Sequence, residues 1–432
     1  MAKLMINYKS PFFKAFISTI LGSGFSKLIL IAVTFYCTHV LSKEYFGAFS
    51  FVRNTLNMIL CMCVANYINL CTKFTVEAQT QRSSRARLLI LYIFSLSICV
   101  IVGLGLGLAP SKWLINITGR SDLLFSFRLI GLLLPLFMLQ PLNEGILRGL
   151  KKFKVIGIVQ VSTSILFFLC VAIGIRLNNY IGGIYGILFY YSLYSIITIC
   201  VVSRYINIYR LIKSHLGEIR SEVSVVNRMI LPVFILSFIE APLNWWAQVI
   251  MAKNSGMVAI STMTAILQIR NFVIILPSYY MNTFTSFATS LNAQHNYKVY
   301  YDKFGKSIII FFIGSLLSIV VFQIFSKLIL GLYGTEYTED SFPFFIANLS
   351  IPLLLIGNLL KIDLIIHEHQ RLMLIASIIS SIAFIGCMLL LIHMGIDSVV
   401  SYFGGQLAQY IIIYLMFKIQ YNKNKHEVYE KI

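Results

Sequence analysis

Long apolar runs separated by short polar ones fill the chain from end to end. A helix needs about 20 apolar residues to cross a hydrocarbon core of about 30 Å. The pattern predicts twelve such spans, at 15–40, 46–71, 88–108, 123–146, 156–176, 181–203, 229–251, 258–281, 307–330, 343–366, 372–394 and 398–418. The first run lacks a small-residue cleavage site and is one of many, so it reads as a span rather than a removable signal. Composition agrees. Only 12% of the residues are charged, about half the share in a soluble domain, so most of the surface is not meant for water. The expected fold class is an all-α polytopic membrane protein.

Charge then orients the spans. Twelve crossings return both termini to one side. That side holds about 24 Lys and Arg, including Arg82, Arg85, Arg87, Lys151, Lys152 and Lys154, against about five on the other. Positive charge stays inside, so both termini are expected in the cytoplasm. The net charge of +19 therefore reports orientation and lipid-headgroup contact rather than nucleic acid. The outward loops are short and leave no room for an external domain. In the longest inward connection, Ile208, Leu211, Ile212 and Leu216 follow helical spacing, which predicts an amphipathic linker helix. The organisation is read as a first bundle (1–203), a linker (204–228), a second bundle (229–418) and a tail (419–432).

Sliding the sequence by about 217 residues reveals a repeat: Arg53-Asn54 falls on Arg270-Asn271, and Pro135 on Pro352. Ser111-Lys112 and Ser326-Lys327 nearly coincide, each leading through a glycine (Gly119, Gly334) into the next span. Six spans per half give both halves the same orientation, a parallel repeat. The implied architecture is two six-helix bundles around a cleft.

Charges within spans are costly and usually face a bundle interior or a water-filled cavity. Arg53 and Arg270 sit deep and are repeat equivalents. Lys27 is central on the first span, and Arg128 lies nearer the outer face. Glu240 is the one deep acid set against Lys27, Arg53 and Arg270, so the balance calls for an anion. Lys361 and Glu144, also repeat equivalents, are expected to pair across the cleft. Gly103, Gly105 and Gly107 lie within a span and read as a close-packing face, not a phosphate loop. The eight cysteines read as small packing residues, and His367-Glu368-His369 lacks further metal ligands. No nucleophile, base and orienter stand at plausible spacing, so an enzyme is not expected, and neither a cofactor nor a metal.

Three segments together resemble a known family. Leu41-Ser42-Lys43-Glu44-Tyr45-Phe46-Gly47-Ala48-Phe49 and Asn143-Glu144-Gly145-Ile146-Leu147-Arg148-Gly149 are two of them. The third is Ala241-Pro242-Leu243-Asn244-Trp245-Trp246-Ala247, followed by Gln268-Ile269-Arg270-Asn271-Phe272. In this order they resemble Wzx-type flippases of O-antigen and other lipid-linked oligosaccharides, in the MOP superfamily with its MATE-like fold. The resemblance implies an undecaprenyl-pyrophosphate-linked oligosaccharide moved from the cytoplasmic to the periplasmic leaflet of the bacterial inner membrane, by alternating access. It implies that Lys27, Arg53 and Arg270 hold the pyrophosphate, with Asn54, Asn57, Asn244 and Gln268 meeting sugar hydroxyls. Membrane lipids, a polysaccharide polymerase and chain-length machinery are the implied partners. A coupling ion, H+ or Na+, would be carried by Glu240. The rival readings are a cation or drug exporter, expected to offer acids to its substrate, and a polymerase or ligase, expected to carry a large outward loop.

Overall fold

The computed structural model describes the backbone of residues 11–64, 67–78, 83–205, 219–367 and 369–430, and most of their side chains, those of 11–23 and 219–240 excepted. Among these residues all regular structure is helical. The first half comprises α1 (Pro11–Val40), α2 (Lys43–Val64), α3 (Tyr67–Glu77), α4 (Ser83–Gly107), α5 (Ser111–Thr118), α6 (Leu124–Phe137), α7 (Leu139–Gly149) and α8 (Phe153–Ser203). The second comprises α9 (Ile219–Ala293), α10 (Tyr297–Ile324), α11 (Ser326–Gly331), α12 (Ser341–Leu349), α13 (Ile351–Ile366), α14 (Gln370–His393) and α15 (Ser398–Glu430).

Two of these are double. Non-helical backbone at Asn178 and Asn179 divides α8 into 153–177 and 180–203. These pieces fold back closely: a Cβ on Gly174 would lie 2.1 Å from the Gly182 carbonyl oxygen, a distance only glycine permits. Gly256, at φ 73°, divides α9 into 219–255 and 257–293. Nine described helical segments are long and apolar enough to cross a membrane. Counting α8 and α9 at their breaks makes eleven, and Gly24–Val40 of α1 completes the expected twelve. The protein is a multi-pass membrane protein.

The same events recur in each half. A short helix follows the third and ninth spans (α5, α11), and a positive-φ glycine follows each, Gly119 and Gly334. The fourth span breaks between α6 and α7 beside Pro135, and the tenth between α12 and α13 beside Pro352. Proline removes a backbone donor and crowds the turn before it, so Pro352 at the start of α13 accounts for the later break, and Pro141 in the first turn of α7, rather than Pro135, for the earlier one. Asn178 and Gly395, where the chain turns between the last two spans of each half, are 217 residues apart.

Some boundaries move. The ninth span begins at Tyr297 rather than 307 and ends at Ile324, and α15 stays helical to Glu430, through most of the stretch read as tail. Hydropathy marks only the part of a helix that lipid covers, and polar ends continue it. The expected linker helix over Ile208–Leu216 falls outside the described residues.

Helix contacts divide the chain into two compact units. Unit 1 is Met1–Leu41 with Ala48–Trp245, and unit 2 is Ser42–Gly47 with Trp246–Ile432. In unit 1, α4 and α6 meet backbone to backbone. A Cβ on Gly103 would lie 2.3 Å from the Gly131 oxygen, and one on Gly131 would lie 2.9 Å from the Gly107 nitrogen. Gly103 and Gly131 thus form the close contact, with the Gly107 backbone against Gly131, while a Cβ on Gly105 or Gly107 would meet open space. In unit 2, α10 is arranged inside-out relative to a soluble helix. It buries Ser307 and Ser315 with Tyr300, Phe304 and Phe311, and exposes Ile309, Ile313 and Leu317 to 59–63%. Lipid is as apolar as the exposed side chains, so small serines can share the packed side with the aromatics.

Ser42–Gly47 joins unit 2 through named contacts. Lys43 donates to the Asp340 carboxylate at 2.7 Å and the Glu336 carbonyl at 2.9 Å, and its ammonium lies 4.7 Å over the Tyr337 ring. Gly47 sits so close that a Cβ would overlap the Met257 oxygen at 1.8 Å. The Lys43 and Gly47 of the first resemblance segment therefore have structural roles.

Candidate functional site

In unit 1 the deep cation is Arg53 on α2. It is half-buried, and its guanidinium lies 6.0 Å from the ring centre of Phe49, one turn earlier and itself buried. Its electrostatic neighbours are Cys37 of α1 and Tyr191 of α8. Tyr191 donates to the Asn57 amide oxygen at 3.1 Å. Asn57 is four residues from Arg53 and shares its helix face, whereas Asn54 points about 100° away. Two residues on, Thr55 accepts a hydrogen bond from Trp245 at 2.9 Å, which ties this part of α9, half-buried Asn244 included, to α2. Lys27 is half-buried on α1. It is ten residues from Cys37, about 15 Å along the helix, so Lys27 and Arg53 sit at different depths.

In unit 2, Arg270 lies on the second part of α9 and is only 5% exposed. Its Nη1 donates to Gln406 Oε1 at 2.8 Å and to Ser350 Oγ at 3.2 Å, and the guanidinium lies 6.0 Å from the Phe403 ring. Gln406 in turn donates to the Tyr402 hydroxyl at 3.0 Å. All these partners are neutral. Among the described residues no carboxylate bonds Arg270, and its buried Nε has no partner at all. Asn348, fully buried just before the α12–α13 break, has both side-chain polar atoms unpartnered as well. Buried unmatched polar groups are expensive, and broken helices in membranes persist where they are packed in protein or line a wet cavity. The break at Ser350 thus carries an unmatched positive charge and unmatched donors. Gln268, half-buried two residues before Arg270, points to the opposite side of that helix.

The remaining expected residues are dispersed. Arg128 is exposed and donates to Ser111 Oγ at 2.9 Å near the start of α6. The Glu240 side chain lies outside the described residues. Glu144, 8% exposed, bonds within its own unit: Arg148 donates to it at 2.6 Å, and Gln140 and Gln160 each at 3.2 Å. Its charge is thereby met by Arg148 within unit 1; Lys361, the partner expected from the sequence, belongs to unit 2. Sequence reading missed Ser350, Gln406 and Asn348, which carry no charge and become visible only as the surroundings of Arg270.

No protein-family model matches the sequence, and no curated protein matches it. Solved structures do. An inward-facing multidrug-resistance MATE family transporter of the MOP superfamily superposes with a TM-score of 0.77, at 13% identity over 95% of this chain and 99% of that one. An outward-facing MATE transporter gives 0.67 at 13% identity, covering 96% and 95%. A MOP superfamily transporter from Pyrococcus furiosus gives 0.65 at 14% identity, covering 94% of each. The chain therefore has the fold of these MATE transporters.

Proposed function

We propose that the protein flips an anionic lipid-linked oligosaccharide, of the undecaprenyl-pyrophosphate class, from the cytoplasmic to the periplasmic leaflet by alternating access of its two units. The observation that carries this reading is Arg270: a buried guanidinium with neutral partners only and an unmatched Nε. A permanently charged fork in that state suits a phosphate oxygen, which would supply charge-assisted hydrogen bonds. Arg53 is its repeat mate in the other unit, and Lys27, deeper on α1, would meet the headgroup at a separate stage. Asn54, Asn57, Asn244 and Gln268 would serve the sugar hydroxyls, and Arg128 would draw the anion outward near the surface. An inside-negative potential favours outward passage of an anion by about 2.3 kcal/mol per charge per 100 mV. The Pyrococcus furiosus relative supports a departure from the drug-export role, being described as having a binding pocket of reversed polarity that suggests a different function.

A second reading, export of cations or drugs, is favoured by the multidrug role of the other two neighbours. A deletion strain supplied with labelled sugar separates the two. Flipping predicts lipid-linked sugar trapped on the inner leaflet, with unchanged resistance to cationic dyes. Normal sugar export combined with dye sensitivity would establish the exporter instead.

A further inference from the structure

Asp363 of α13 is fully buried. The Tyr300 hydroxyl of α10 donates to its Oδ1 at 2.7 Å, and Asn424 Nδ2 of α15 donates to its Oδ2 at 3.0 Å. His367, just past the end of α13, bonds the Asp363 carbonyl through Nδ1 at 2.9 Å, so that nitrogen carries a hydrogen. The same nitrogen stands 3.4 Å from Oδ1. The other ring nitrogen, Nε2, is buried without a partner. His369 Nε2 and Gln420 both reach the Asn424 amide oxygen, at 2.9 and 2.8 Å. Among the described residues, the other titratable side chains on this face are Tyr301 of α10 and Tyr421 and Lys418 of α15. Tyr421 meets Tyr301 edge to face, and the Lys418 ammonium lies over the Tyr421 ring. Arg371, at the start of α14, is exposed. His367 is the only cationic partner of Asp363 among the described ion pairs.

An isolated carboxylate in such a place is unfavourable twice over. Burial disfavours its charge, and it stands in the last turn of α13, at the negative end of the helix dipole. The buried carboxylate therefore favours a second proton on the adjacent imidazole, at Nε2, where an imidazolium faces the carboxylate charge. Burial pushes His367 down, but the hydrogen bond and charge of Asp363 push it up by more, and the net direction is up from an ordinary histidine. Loss of that proton from Nε2 would leave a buried negative charge held by two neutral donors. The oxygens of Asp363 already accept from donors, so a sodium ion, which needs free oxygen ligands, would have to displace them.

We propose that Asp363 and His367 form a proton-binding site at the basic-face end of unit 2, loaded while Tyr300 and Asn424 close on the carboxylate and emptied as those contacts open. Resting on the transport reading above, this proton is the coupling ion.

Two measurements on the full-length protein test this. The first is thermal stability against pH. A histidine raised by folding contributes stability that is complete below its unfolded pKa of about 6.5 and is lost as pH rises through its folded value. The wild type should therefore lose Tm as pH rises from 6 to 9. His367→Gln and Asp363→Asn should be flat there, with His367→Gln below wild type at pH 6 and level with it at pH 9. Variants that keep the wild-type slope overturn the site. The second is translocation of undecaprenyl-pyrophosphate-linked oligosaccharide in proteoliposomes. One pH unit across the membrane should change the final leaflet ratio by up to about tenfold for one proton in the wild type, and not in His367→Gln. A stability signature without any gradient effect overturns the coupling role alone. No translocation by any form overturns the transport reading and leaves the proton site standing.

Discussion

The two units treat equivalent charges differently. Arg53 of unit 1 is half-buried against the Phe49 ring, while Arg270 of unit 2 is nearly sealed, with Gln406, Ser350 and one orphaned nitrogen around it. The acids near the basic face differ in the opposite sense. Glu144 of unit 1 is met by Arg148, which never gives up its proton; Asp363 of unit 2 is met by a histidine, which does. The repeat thus keeps the backbone events and the Arg53/Arg270 pair, while the chemistry around them differs. In unit 1 the buried acid is met by an arginine, while unit 2 holds the guanidinium with an orphaned nitrogen and the Asp363–His367 pair.

The largest effect expected from this asymmetry is at Arg270. Arg270→Ala should reduce translocation per folded molecule by about 100-fold or more, since each hydrogen bond to a charged group is worth about 1.5–3 kcal/mol. Arg53→Ala should cost about tenfold, having a looser setting. Equal losses would erase the contrast between the units. Arg270→Met sharpens it: an unmatched buried charge is a burden on the fold, so Tm should hold or rise while transport is lost. A fall in Tm of several degrees would make Arg270 a structural brace and remove it from the site.

Coupling between the arginines comes next. If both grip one pyrophosphate, the double alanine variant should lose little beyond Arg270→Ala alone, and multiplied losses would mean separate sites. Within unit 1, Gly131→Leu should lower the yield of folded protein severalfold, because the added side chain meets the Gly103 oxygen and Gly107 nitrogen; Gly105→Leu, facing open space, should not. Arg128→Ala should change translocation by less than about twofold, as an exposed group worth roughly a surface contact. A large effect there would move the anion path outward. Topology is tested apart from all of these. Cysteines placed near Gly119 and Gly334 should react with an impermeant thiol reagent applied outside, and one near Lys152 should not.

The sequence alone determined the number of spans, the repeat and the glycine contact. Each depends on local composition: apolar length, an offset between halves, and residues small enough for backbones to touch. It also picked out Arg270 and Arg53, because charge within an apolar run is conspicuous one residue at a time. Only the tertiary structure decided what those charges meet. Ser350 and Gln406, 80 and 136 residues from Arg270, are neutral and leave no mark in the sequence as its partners. Glu144 is met by Arg148 one turn away, because an i,i+4 neighbour is held in place by the helix itself. His367 was read as a metal ligand that fails; its role beside Asp363 emerges only where α10, α13 and α15 pack together. Periodicity reports which residues avoid water. What a buried polar group bonds to depends on which helices lie beside it, and that is a property of the packing.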